Sequence, residues 1–117
     1  MKNIFFYILL ASIFFSNIKF NAQSQSAAVL SVYTQSAKIS PEMAESVLRI
    51  EMTKTEQFNV IDKLDMNEIL EENQIDITNC YGKKCLLRVG KSAGVDKVVT
   101  GSIENLGKKI VITVKIL

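Results

Sequence analysis

Apolar and polar positions along this chain follow two periods, and each marks a different kind of element. Near the end of the chain Ile110, Ile112, Val114 and Ile116 interleave with Val111, Thr113, Lys115 and Leu117, the period-two pattern of a strand over Lys108–Leu117. The apolar stretch from Asp96 to Glu104 predicts a partner strand, and Asn105-Leu106-Gly107 between them supplies a short loop with glycine, so the two form a hairpin. Ala27–Tyr33 is apolar, tolerant of β structure and one strand long, and Phe58–Ile61 is a briefer strand with Phe58 and Val60 on one side. Helical spacing begins after Ser40-Pro41, where serine suits the cap and proline the first helical position. Ala44, Val47, Leu48 and Met52 then recur three and four apart to about Thr55, with Glu45, Arg49 and Glu56 on other faces. Asp65–Glu68 reads as a capping box opening a second helix, along which Met66, Ile69, Leu70 and Asn73 trace one face to about Gln74. Lys83–Ala93 reads as a third helix ended by Gly94. Thr34–Ser40 reads as loop and Ile75–Cys80 as irregular chain. The order β-α-β-α-α-β-β predicts a single small α/β (α+β mixed) domain: one mixed β-sheet with helices packed against it.

The first 22 residues stand apart. A basic start, Met1-Lys2-Asn3, leads into an apolar run from Ile4 to Phe15 broken only by Ser12, and Ser16–Ala22 returns to polar and small residues. That is the organisation of a secretory signal, with cleavage expected near Ala22. The run holds about 12 apolar residues, whereas a membrane span takes about 20; retention as an anchor is the alternative. The domain plan is therefore a signal peptide over 1–22, a flexible lead-in over 23–26 and the α/β domain over 27–117, with later strands either absent or missing beyond Leu117. The expected destination is the periplasm or the exterior.

Subtracting the leader changes the composition. Of the 14 basic residues, Lys2 and Lys19 are in the leader and no acidic residue is, so residues 23–117 carry 12 basic against 12 acidic groups. A nucleic-acid surface needs a basic surplus or a clustered stripe, and the lysine doublets 83–84 and 108–109 flank turns; no nucleic-acid partner is expected. Phe5, Phe6, Tyr7, Phe14, Phe15 and Phe20 also leave, so only Tyr33, Phe58 and Tyr81 remain and the core must be aliphatic.

Cys80 and Cys85 are the chain's two cysteines. In an exported chain they are most simply a disulfide closing a short loop. Thiol redox chemistry ordinarily uses two residues between the cysteines rather than four, and a metal site would want further ligands where the chain has no histidine. Gly90-Lys91-Ser92 looks like the tail of a phosphate loop, but Cys85 stands where that motif needs glycine, and the segment falls late in a helix; it reads as an exposed helical turn. Asp62, Asp65, Glu68, Glu71, Glu72 and Asp76 lie at helical rather than calcium-loop spacing and read as a solvated face. The absence of histidine removes the commonest general base, and the serines lack a nucleophile-elbow context. No catalytic residues, cofactor or metal are expected.

From Ala27 onward the chain resembles the small α/β domain shared by the TolB amino-terminal domain and the curli-secretion pore (CsgG-like) proteins. The carrying residues are Ala28–Val32, the segment Phe58–Glu72 (FNVIDKLDMNEILEE), Ala93-Gly94-Val95-Asp96, and Val98–Ile103 with its Gly101-Ser102. The leader ending Asn-Ala-Gln and the Cys80–Cys85 insertion look like exported proteins of Bacteroidota. The resemblance implies a non-enzymatic module for protein–protein assembly in the cell envelope, and it implies no catalytic residues. The lipid-bearing cysteine of the pore proteins has no counterpart after the apolar run, so no lipid anchor is evident and pore formation is not implied; peripheral outer-membrane association stays open. The partner would be an envelope protein, or a second copy through a sheet edge, and Ile110, Ile112, Val114 and Ile116 form the candidate strand-addition edge. The alternatives are a small thiol-dependent redox or ligand-binding protein and a truncated copy without independent function.

Overall fold

The computed structural model describes residues 23–117, so the leader read over 1–22 lies outside the described residues. Four strands, β1 (Gln25–Val29), β2 (Phe58–Val60), β3 (Lys97–Leu106) and β4 (Lys109–Ile116), alternate with three helices, α1 (Pro41–Lys54), α2 (Lys63–Glu72) and α3 (Lys83–Ala93). The element order is the one the apolar periods lead to. The sheet order is β2-β1-β3-β4, with β1 parallel to both β2 and β3 and β4 antiparallel to β3. The sheet is therefore mixed, and β1 lies between two neighbours.

Covering both faces of β1 creates two cores. On one face Ala28, Leu30 and Val98 meet Met66 and Leu70 of α2 and Leu86 and Val89 of α3. On the other, Ala27, Val29 and Val99 meet Met52 and Leu48 of α1 together with Phe58 and Val60. A strand buried on both faces reads as a continuous apolar run, which is why AAVLSV shows no alternation. Gly90 of α3 is buried against β3, so closely that a Cβ there would strike a methyl group of Val98. The exposed turn expected for Gly90-Lys91-Ser92 is thus corrected at its first residue, which is a packing glycine between helix and sheet.

The boundaries differ at four places. β1 starts at Gln25, so the expected flexible lead-in over 23–26 is already strand in its second half. Ser26 donates from its backbone N–H (2.8 Å) and its hydroxyl (3.1 Å) to the Asp96 carboxylate, and the Asp96 N–H returns a bond to the Ser26 hydroxyl (3.0 Å), pinning the start of β1 to the approach to β3. β1 ends at Val29 rather than Tyr33, because Ser31 turns left-handed (φ 48) before Tyr33 makes an isolated parallel bridge to Ser102. α2 is capped by Asp62, not Asp65. The Asp62 carboxylate accepts from the N–H groups of Leu64 (2.7 Å) and Asp65 (3.0 Å), bonds that hold its pKa below the ordinary aspartate value. The hairpin loop is a two-residue turn, Gly107-Lys108, with φ 64 at Gly107, where a type II′ turn wants glycine.

The α3 start has neither a side-chain cap nor an acidic first turn, and two lysines sit there against the helix dipole. Its tether is covalent: Cys80 and Cys85 form a disulfide with Cα atoms 5.6 Å apart, and Cys80 is buried in the core beneath α2 and α3.

Two outcomes are expected in thermal or denaturant unfolding. Asp62→Ala lowers the melting temperature while Asp65→Ala leaves it nearly unchanged; equal effects would contradict the assigned cap. Replacing both cysteines by serine lowers stability by about 2 kcal/mol on the chain-entropy account, with the fold retained by circular dichroism.

Candidate functional site

β3 and β4 pair residue for residue from Val99↔Ile116 to Leu106↔Lys109. Directly opposed residues of an antiparallel pair share a face, and Val99 belongs to the core under α1. Ile110, Ile112, Val114 and Ile116 therefore all lie on the α1 side of the sheet. Yet α1 packs over β1 and β2, and its cover stops short of the hairpin. Val99 is 0% exposed, whereas Ile110, Ile112, Val114 and Ile116 are 68, 67, 51 and 50% exposed. An apolar stripe of four β-branched side chains is left in solvent.

Between the stripe and α1 runs a shallow groove of about 170 Å³, floored by Val32, Gly101 and Ile103 and walled by Val47 on one side and Ile112 and Val114 on the other. Gly101 keeps it open. A Cβ at this position would strike the carbonyl oxygen of Thr113, so no side chain is accommodated and the strands approach closely there. The trough continues past Ile103 to the loop before α1, where Ile39 and Ala37 face Ile110. That loop is held to the hairpin by Asn105, whose backbone N–H donates to the Ser36 hydroxyl (3.1 Å) and whose side-chain amide donates to the Ser36 carbonyl (2.6 Å).

The same four residues carry a second feature. Val98 and Leu117 exchange backbone bonds in both directions, at 3.1 and 2.9 Å. Hydrogen-bonded and non-bonded pairs alternate along an antiparallel ladder, so Val111, Thr113 and Lys115 bond inward to β3. Ile110, Ile112, Val114 and Ile116 direct their N–H and C=O groups to the open side of the sheet, where β4 is the last strand among the described residues. The candidate edge residues thus present backbone groups along the edge and apolar side chains on one face.

At the opposite end of the groove the break in β1 leaves backbone groups that α1 and β3 satisfy. Arg49 Nη2 donates to the Val29 carbonyl (3.2 Å), Val32 N–H donates to Glu45 Oε1 (3.3 Å), and the Thr100 hydroxyl donates to the Ser31 carbonyl (3.0 Å). Glu45 and Arg49 are half-buried, not on a free polar face as the helical spacing suggests. Arg49 Nε is buried without a hydrogen-bond partner among the described residues. Burial pushes the Glu45 carboxyl above the ordinary glutamate pKa, against the opposing pull of the Val32 N–H and the Arg49 charge. No sequence motif announces this pair; the signal was two charged residues four apart flanking a helix's buried stripe.

On the other face a more polar hollow of about 190 Å³ lies among Tyr33, Tyr81, Thr100, Ser102 and Lys115, with the two tyrosine rings edge to face at 5.3 Å. Among the acidic residues, Asp65, Glu68, Glu71, Glu72 and Asp76 are exposed and Asp62 is the α2 cap. No grouping of three or more histidine, cysteine, aspartate or glutamate side chains suited to a metal occurs among the described residues. No described helix is long and apolar enough to cross a membrane.

No family model matches the chain, and no curated protein matches it. Solved structures do. The C-terminal domain of LpoB from Salmonella enterica superposes with a TM-score of 0.66 at 10% identity, over 80% of this chain and 71% of that one. The same domain from Escherichia coli gives 0.65 at 11% identity, again over 80% and 71%. E. coli LpoB solved by NMR gives 0.64 at 10% identity, over 80% of this chain and 48% of the longer LpoB chain. At these identities the likeness is one of fold.

Glu45 gives this end of the groove a pH dependence. A carboxyl whose pKa is raised on folding contributes stability that is complete below the unfolded value and lost as pH rises through the folded one. Glu45→Gln keeps the acceptor for Val32 and removes the charge. Its urea midpoint should therefore gain on the wild type as pH rises above the ordinary glutamate value of 4.5 and then level off. A constant difference across that range would contradict the burial of the charge.

Proposed function

We infer that this chain is an exported, non-enzymatic interaction module of the cell envelope, acting in the periplasm or outside after cleavage of its leader near Ala22. The observation that carries the reading is the β4 edge, where exposed apolar side chains and open backbone groups coincide on Ile110, Ile112, Val114 and Ile116. An envelope protein adding a strand there gains main-chain hydrogen bonds and an apolar groove for alternate side chains together.

Three further features support the compartment and the class. The Cys80–Cys85 disulfide suits an oxidising environment. The fold is similar to that of the C-terminal domain of LpoB, and the resemblance of Phe58–Glu72 and Ala93–Ile103 to TolB amino-terminal and CsgG-like domains implies an assembly role in the envelope. The chain lacks histidine, and the charged groups brought together by α1 serve the β1 backbone rather than a cleft.

The reading is tested by placing a photo-crosslinking residue at Ile112, and separately at Glu68 on the exposed side of α2, in the chain expressed with its leader. Adducts in the envelope fraction from position 112 and not from 68, reduced about tenfold or more by Val114→Pro, are expected. Absence of any adduct along 110–116, or recovery of the chain with an intact leader in the cytoplasm, would contradict it.

A further inference from the structure

We propose that the free edge of β4 pairs antiparallel with the β4 of a second copy of this chain, with Thr113 on the two-fold axis. The proposal rests on the reading of this edge as the binding surface and names its occupant. Two-fold pairing is isologous, so the same residues must serve both sides, and β4 meets that demand better with the axis at Thr113 than with it at Ile112. With Thr113 opposite Thr113, the outward-directed residues pair as Ile110 with Ile116 and Ile112 with Val114, which puts only β-branched aliphatic pairs on the α1 face. On the other face Val111 stands opposite Lys115 and Lys109 opposite Leu117, so neither lysine meets a like charge.

A neighbouring register is worse. Moving the axis to Ile112 brings Lys109 opposite Lys115 in both halves of the interface, and like charges directly opposed are destabilising. The lysines act here as register markers, because they disfavour the alignment about Ile112 and accept the one about Thr113. Long-range charge does not oppose the approach, since residues 23–117 carry 12 basic and 12 acidic groups. Pairing joins two four-stranded sheets into one and brings the two exposed apolar stripes side by side, while the outward N–H and C=O groups of all four residues gain partners.

The test uses the full chain expressed with its leader and purified from the exported fraction. Sedimentation equilibrium at micromolar concentration should give a mass approaching two copies. Thr113→Cys should form an intermolecular disulfide under mild oxidation, because residues opposed across a non-hydrogen-bonded pair lie about 4.5 Å apart at Cα, whereas Val111→Cys should not. Val114→Pro removes an N–H that bonds nothing among the described residues and should weaken the dimer about tenfold or more with the circular dichroism spectrum retained. Should that variant fail to fold, Ile112→Lys, on an exposed site, serves in its place with the same expected loss. A wild-type chain that stays monomeric overturns the proposal, as does a dimer that neither crosslinks through position 113 nor responds to Val114→Pro or Ile112→Lys. If the chain is monomeric but position 112 still crosslinks to another envelope protein, self-pairing falls and the proposed function stands; loss of both removes the two together.

Discussion

Everything in this fold depends on burying β1 on both faces and along both edges. Three strand residues and the chain just after them, Ala27 to Val32, are almost wholly removed from solvent, and they organise two separate aliphatic cores rather than one. A strand so enclosed must satisfy its backbone where regular pairing stops. The left-handed turn at Ser31 creates that problem, and Arg49, Glu45 and Thr100 resolve it from three directions. Two charged side chains of α1 are thereby committed to scaffolding, which fixes the seat of the helix over β1 and β2 and ends its cover before the hairpin.

The exposed hairpin follows from that placement. A fourteen-residue helix seated over β1 and β2 cannot also shield the far edge of a four-stranded sheet, and the other two helices lie on the opposite face. Gly101 deepens the consequence, since the close approach of Thr113 leaves no room for a side chain that would have filled the space beside α1. The apolar stripe is thus a product of the scaffold, and its coincidence with the open backbone of β4 turns it into an edge with a defined face.

Much of this was legible in the chain. Periodicity gave the number, type and order of the elements, Ser40-Pro41 and Gly94 marked helix ends that the structure keeps, and the cysteine spacing pointed to the disulfide. What escaped the sequence was of another kind. Asp62 and Asp65 are both competent caps, and the choice between them depends on where β2 delivers the chain. Ser26 looked like a polar lead-in because its partner, Asp96, is 70 residues away. Ser31 sat inside an apolar run with no glycine to advertise a left-handed turn. Helical spacing assigns Gly90 and Glu45 to solvent faces, because it records direction around an axis but not how far neighbouring layers extend. The edge residues were readable as a strand, but their exposure required knowing where α1 ends.

The central claim is that β4 is an edge whose inward amides are paired and whose outward amides await a partner. Residue-resolved amide hydrogen exchange tests it most directly. In dilute solution Val111, Thr113 and Lys115 should exchange slowly and Ile110, Ile112, Val114 and Ile116 fast, a two-residue alternation that disappears as concentration rises and the outward amides become protected. Uniform protection along β4 in dilute solution, or outward amides that stay fast at every concentration and in the presence of envelope extract, would contradict the account.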